Sequence, residues 1–244
     1  MAELRDVHPT LLAVAHGTRD PAGAATVRAL LDRVRALRPG LRVAEAYAEI
    51  AAPSLEDALR GVGGPVVAVP LMLARGYHAL IDIPGRAERL QPGLVTSRPL
   101  GPHGLLATAM IDRLAAGLGG GEPLRPADAV VLGAAGSSDP AGVADVRAAA
   151  RMLSRRLRRP VPFGFVAADG PPLAEVVERR RREGAGRVLV ASYLLAPGLF
   201  HHRIEAAGAD AASAPIGAHD AVARLVLHRF DEAGLRLGGA VRVA

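Results

Sequence analysis

The sequence contains no cysteine and no tryptophan, and every one of its thirty basic residues is arginine. Without cysteine, disulfides, thiolate zinc sites and iron–sulfur clusters are excluded, so a transition metal must be bound by imidazole and carboxylate. No apolar run approaches the ~20 residues of a membrane span, and the N-terminal residues lack the apolar core of a signal peptide. We therefore expect a cytoplasmic protein that does not bind membranes.

Aromatic residues are scarce too, at 3% of a chain whose net charge is +6. Stacking platforms for single-stranded nucleic acid need aromatic side chains, and no helix-turn-helix or RNA-binding signature is present. An arginine-only basic composition is as typical of biased coding as of a polyanionic partner. The charge therefore favours an anionic small molecule, and we expect no nucleic-acid partner.

Apolar, valine-rich runs alternate with helical patterns along the 244 residues. The patterns predict strands at 11–15, 41–50, 66–71 and 94–97, and helices at 20–37, 53–60, 83–90 and 102–118. This βαβαβαβα order predicts an α/β fold with a parallel sheet and right-handed crossovers.

The pattern then begins again after a glycine- and proline-rich linker at 119–126. Residues 15–23 align without gaps on residues 134–142, and 66–76 align on 188–198, which indicates an internal duplication. We therefore predict two duplicated lobes, 1–118 and 127–244, each a parallel sheet flanked by helices. In the second lobe Ala135 stands opposite His16 and Phe200 opposite His78, so the first lobe carries the intact histidine pair.

His16 follows the first predicted strand and precedes Gly17, whereas His78 follows the third strand. Ligands of open α/β sheets bind at the carboxyl ends of the strands, where these two imidazoles are expected to meet. Neutral imidazole binds divalent metals and accepts protons near pH 7. The alternative for His16 alone is a cap or turn hydrogen bond.

Asp82 lies four residues after His78, which places both on one face if the segment is helical. The carboxylate could then orient the imidazole or join it at a metal. Asp82 is also placed to be the N-cap of a helix that begins at Ile83-Pro84, a role that does not exclude the first. His78 itself is expected beside Tyr77 in a glycine-hinged loop.

Weaker candidates flank this pair or lie in the second lobe. Arg19 and Arg75 are placed to meet an anionic ligand at the rim of the site. The adjacent His201 and His202 could bind metal, but neighbouring side chains diverge, so one of the two is expected to be solvated.

Two stretches carry a family resemblance: His-Gly-Thr-Arg-Asp-Pro at 16–21, and Leu-Ala-Arg-Gly-Tyr-His-Ala-Leu-Ile-Asp-Ile-Pro at 73–84. They resemble the His-Gly-Ser and Gly-x-His-x-x-x-Asp-Ile-Pro signatures of the sirohydrochlorin chelatases of siroheme and cobalamin synthesis, with Thr18 in place of the commoner serine. The duplication resembles the two-lobed members of that family.

The resemblance implies a class II chelatase-like fold and insertion of Fe2+ or Co2+ into sirohydrochlorin with loss of two protons. It implies no organic cofactor, since the divalent metal is itself a substrate. By this resemblance His16 and His78 receive the metal and accept protons. The anionic tetrapyrrole is expected to meet the weaker candidates Arg19, Arg75, Tyr77 and Asp82.

Nothing in the residues separates the two metals, although the lack of a histidine-rich tract tilts the expectation slightly toward iron. A non-catalytic tetrapyrrole or metal carrier is the main alternative to the enzyme. A periplasmic-type binding protein also has two α/β lobes, but the strand-end histidine pair counts against it. A fused two-lobed chain is expected to be a monomer.

Overall fold

A computed structural model describes residues 8–118, 123–167 and 169–240, which form two compact units. The first unit contains a four-stranded sheet in the order β2-β1-β3-β4, and the second contains a sheet in the order β6-β5-β7-β8. Every strand pair in both sheets is parallel. The predicted α/β architecture of two helix-flanked parallel sheets is confirmed. Part of the predicted linker, residues 119–122, lies outside the described residues.

The elements alternate in the predicted order along the chain. In the first half they are β1 (Thr10–Ala15), α1 (Pro21–Leu37), β2 (Val43–Tyr47), α2 (Leu55–Arg60), β3 (Val66–Pro70), a π-helical turn (His78–Asp82), α3 (Ile83–Leu90), β4 (Val95–Thr96) and α4 (Gly104–Gly117). In the second half they are β5 (Asp128–Ala134), α5 (Pro140–Leu157), β6 (Phe163–Phe165), α6 (Leu173–Arg182), β7 (Arg187–Tyr193), α7 (Leu199–Glu205), β8 (Ala211–Ala212) and α8 (Asp220–Ala240).

Local sequence signals explain why the first helix of each half begins where it does. The Asp20 carboxylate accepts a hydrogen bond from the Ala22 amide, and Pro21 occupies the first turn of α1. Asp139 and Pro140 start α5 in the same way. Proline in the first turn loses no helical hydrogen bond and already has a helical φ. Each helix therefore begins a few residues beyond the carboxyl end of a buried central strand.

The two compact units do not follow the order of the repeat in sequence, because their last helices are exchanged. Helix α4 belongs to the second unit, and α8 belongs to the first from Ala223 onward. In the first unit the buried Arg229 of α8 donates to the Pro99 and Leu100 carbonyls, and Arg38 forms a two-bond ion pair with Asp231. The predicted lobes, 1–118 and 127–244, are the two copies of the sequence repeat. Their division at 119–126 stays a prediction.

The core of the first unit lies between its sheet and helices. It includes Leu12, Val14, Leu55, Val66 and Ile83, all fully buried. None of the helices within the described residues has the length and apolar character that a membrane span requires.

Candidate metal centre

Three side chains meet at the carboxyl edge of the first sheet: His16 after β1, Glu49 after β2 and His78 beyond β3. One nitrogen of each imidazole and one Glu49 carboxylate oxygen all lie within 4.8 Å of one another. The two imidazole rings are 4.8 Å apart between centroids and nearly perpendicular, and His78 Nε2 is 3.6 Å from Glu49 Oε1. The strand that precedes His16, β1, lies between β2 and β3 in the sheet.

Glu49 reaches the cluster because its backbone runs alongside the residues at the end of β1 and is hydrogen-bonded to them. The Ala48 amide donates to the Ala15 carbonyl and the Glu49 amide to the His16 carbonyl, which extends the β1–β2 pairing past both strands. Gly17 then turns away with φ +101°. A Cβ at this position would lie 1.9 Å from the Glu49 carbonyl oxygen. Only glycine permits both this φ and this close approach.

His78 lies in the first turn of a helix, so the predicted glycine-hinged loop is wrong at this residue. The π-helical turn His78–Asp82 continues directly into α3. Asp82 has helical dihedral angles, φ −67° and ψ −59°, and its side chain caps no backbone amide. Asp82 therefore holds the predicted position directly before α3 but does not cap it, because the helical turn that contains Asp82 has already begun at His78.

The helical turn places the Asp82 carboxylate against the His78 imidazole. Asp82 Oδ2 is 3.1 Å from His78 Nδ1, the face-sharing geometry that the four-residue spacing predicts. When a carboxylate accepts the proton of Nδ1, the imidazole has its lone pair on Nε2. Nε2 is the nitrogen that points to Glu49, so this tautomer offers the cluster a ligand or a base.

A guanidinium behind this pair connects Asp82 to the rest of the unit. Arg86 Nη1 donates to Asp82 Oδ2 at 3.2 Å and to the Ala48 carbonyl at 2.9 Å. Its Nε and Nη2 donate to the two Glu56 carboxylate oxygens at 2.9 and 2.7 Å. The hydrogen bonds from Arg86 lower the pKa of Glu56, and those same bonds raise the pKa of Arg86.

The cluster is open to solvent. The side chains of His78 and Glu49 are 27% and 49% exposed, and His16 is exposed as well. Two imidazoles and a carboxylate form a borderline ligand set that suits Fe2+, Co2+ and Zn2+. With three protein ligands, a metal here would keep positions free for exchange, unlike the closed four-ligand set of a structural site.

The other predicted rim residues have different surroundings. Arg19 is exposed, and Tyr77 is 65% exposed with its ring 5.6 Å from that of His78. Arg75 belongs to the second unit, where its Nε and Nη2 bind the buried Asp145 carboxylate at 2.7–3.1 Å. These bonds anchor the segment that carries Arg75, and the Arg75 side chain remains 46% exposed.

The histidine pair of the second half does not form a comparable group. His201 is 11% exposed, with Nε2 3.2 Å from the Ser213 carbonyl and Nδ1 3.9 Å from Glu205. His202 is exposed, as the divergence of neighbouring side chains predicts. In the part of the chain that the structure describes, the cluster at His16 is the one set of three or more possible metal ligands.

Glu49 is the member that sequence reasoning missed. The strand predicted over 41–50 ends at Tyr47, so Glu49 lies beyond the sheet edge and not within a strand. The available signal was an acidic residue at the end of a strand that neighbours the one before His16. That signal points to Glu49 only when the order of the strands in the sheet is known.

Two helix-flanked parallel sheets with a histidine–glutamate cluster at one sheet edge define a class II chelatase-like protein. The chain belongs to the CbiX family, whose model matches it twice, over residues 10–116 and 129–233.

Relatives with known names span most of the chain. It is 26% identical to a sirohydrochlorin ferrochelatase of Priestia megaterium over 92% of this chain and 90% of that one. It is 28% identical to a sirohydrochlorin cobaltochelatase of the same organism over 80% of this chain and 67% of that one. Among solved structures, SirB from Bacillus subtilis with Fe3+ superposes with a TM-score of 0.79 at 26% identity, over 95% of this chain and 97% of that one.

Proposed function

We propose that this protein is an enzyme that inserts a divalent metal into sirohydrochlorin, with iron favoured over cobalt. The observation that carries the proposal is the solvent-accessible His16–Glu49–His78 cluster, whose ligand atoms lie within 4.8 Å of one another. Family membership and the names of the relatives supply the substrate. Relatives named for iron and for cobalt are similarly distant, so the preference for iron rests only on the lack of a histidine-rich tract.

Each member of the cluster has a chemical task in this reaction. Metal insertion requires a metal ion that gives up its protein ligands and two pyrrole N–H groups that lose their protons. His16, Glu49 and His78 would hold the metal at an open site from which it can transfer. Once the metal has left it, each imidazole would have a free lone pair with which to accept a pyrrole proton, because neutral imidazole is a base suited to neutral pH.

The proposed substrate is a macrocycle that carries several carboxylates. Its carboxylates require positive charge on the protein, and its macrocycle requires an apolar surface. The chain has a net charge of +6, which would steer an anionic tetrapyrrole toward it. Arg19 and the exposed part of Arg75 are proposed to meet carboxylates, and the exposed Tyr77 ring to contact the macrocycle beside His78. We propose a monomeric, cytoplasmic enzyme that needs no organic cofactor.

The test is anaerobic absorption spectroscopy of sirohydrochlorin with the protein and Fe2+, Co2+ or Ni2+ in separate cuvettes. Conversion of the free-base spectrum above the spontaneous rate, fastest with Fe2+, is the expected result. Faster conversion with Co2+ would reverse the metal preference and leave the chelatase. A spectral change limited to one equivalent per protein would instead identify a carrier, and no change would reject sirohydrochlorin as the substrate.

A further inference from the structure

The guanidinium of Arg86 contacts a neighbour of His78 and a neighbour of Glu49, although it is not itself a possible metal ligand. It donates to Asp82 Oδ2, the oxygen that faces His78, and to the carbonyl of Ala48, the residue before Glu49. These two contacts come from one nitrogen, Nη1, at 3.2 and 2.9 Å. A single planar group therefore bridges the π-helical turn and the segment after β2.

Glu56 fixes the orientation of that guanidinium. Its two carboxylate oxygens accept from Nε and Nη2, which is the fork geometry that only arginine supplies. The Arg86 side chain is 20% exposed and those of Asp82 and Glu56 are 15% and 32% exposed. Shielding from solvent makes such ion pairs stronger than surface pairs.

We infer that Arg86, held by Glu56, is the positioning residue that keeps His78 and Glu49 at metal-binding distance. Without it, Asp82 has one fewer fixed partner, and the Ala48 carbonyl loses the donor that ties it to α3. His78 and Glu49 can then drift apart while each element stays folded. Loss of partners that orient metal ligands commonly lowers metal affinity about 10–100-fold.

The effect on turnover rests on the proposed function, whereas the effect on metal binding does not. The experiment is therefore a Co2+ titration of the full chain, followed by the visible ligand-field spectrum of bound Co2+. The variants are Arg86→Gln, which removes the charge and the fork, and Arg86→Lys, which keeps the charge alone. The matched control is Arg38→Gln, since Arg38 forms a two-bond ion pair with Asp231 in the same unit.

We expect Arg86→Gln to bind Co2+ about 10–100-fold more weakly and with an altered spectrum. Arg86→Lys should recover only part of the affinity, because an ammonium cannot form the fork. Arg38→Gln should keep the wild-type affinity and spectrum even if its melting temperature falls. In turnover assays Arg86→Gln should lower kcat and leave the KM for sirohydrochlorin unchanged.

Wild-type Co2+ affinity and spectrum in folded Arg86→Gln would overturn the inference. If Arg86→Gln does not fold, Arg86→Lys decides: wild-type affinity and spectrum in it would overturn the inference equally, and weaker binding would support it. A wild-type protein that binds Co2+ but does not turn over sirohydrochlorin would reject the proposed function alone. An equal loss of affinity in Arg38→Gln would show that any weakened ion pair in this unit suffices, which also overturns the inference.

Discussion

The contact between Gly17 and the Glu49 carbonyl makes Gly17→Ala a sharp test of how the cluster is built. A Cβ at residue 17 would lie 1.9 Å from the carbonyl oxygen, whereas real Cβ atoms do not approach closer than 3.0 Å. The segment carrying Glu49 would have to withdraw by about 1 Å, and misplacement on this scale is enough to cost about 100-fold in a catalytic site. We expect Gly17→Ala to weaken Co2+ binding by about 10-fold or more.

The same substitution also strains the backbone, so a control must separate strain from displacement. Gly40 has φ +86° and open space where a Cβ would lie, which makes Gly40→Ala the matched variant. A left-handed alanine costs about 1–2 kcal/mol, and the clash at Gly17 should bring the total loss there to about 2–4 kcal/mol. Gly40→Ala should therefore lose stability but keep its metal affinity.

The assay combines urea unfolding of each variant with a Co2+ titration under conditions where each is folded. The reasoning is refuted if Gly17→Ala loses no more stability than Gly40→Ala and binds Co2+ as tightly as the wild-type protein. That result would mean that the Glu49 segment can move away from Gly17 without any effect on the cluster.

Three further predictions concern His78, the pair His201 and His202, and Arg75. His78→Ala should abolish metal insertion and cost only about 1 kcal/mol of stability, measured by turnover and urea unfolding; wild-type rates would remove His78 from the site. Changing both His201 and His202 to alanine should slow insertion less than His78→Ala does, and the reverse order would assign the chemistry to the second half. Arg75→Ala should lower the free energy of unfolding by about 1–3 kcal/mol because it leaves the buried Asp145 carboxylate without its ion-pair partner, and an unchanged urea midpoint would contradict that role.

Features encoded by neighbouring residues were predictable from the sequence. Asp20-Pro21 marks the start of α1, and Ser54 caps α2 through the Asp57 amide. The central strands β1 and β3 are buried, largely apolar runs, as expected for parallel sheets covered on both faces, whereas the edge strand β2 contains Glu45 and is only partly buried. The spacing of His78 and Asp82 predicted their contact on the condition that the segment is helical, and the π-helical turn meets that condition.

Features that depend on distant parts of the chain were not predictable. Glu49 becomes a possible ligand only because Gly17 lets its carbonyl pack against the turn after β1. Arg86 and Glu56 are 30 residues apart, and Arg75 and Asp145 are 70 apart. Neither pair has a local signature, because an arginine in an amphipathic pattern looks the same whether its partner is water or a buried carboxylate.

The measurement that tests the central claim most directly is the number of sirohydrochlorin molecules metallated per protein molecule with the tetrapyrrole and Fe2+ in large excess, under anaerobic conditions. The wild-type protein should convert many equivalents, and His16→Ala should fall to the spontaneous rate while remaining folded. Conversion that stops at one equivalent in the wild-type protein, or continues undiminished in folded His16→Ala, would contradict the account.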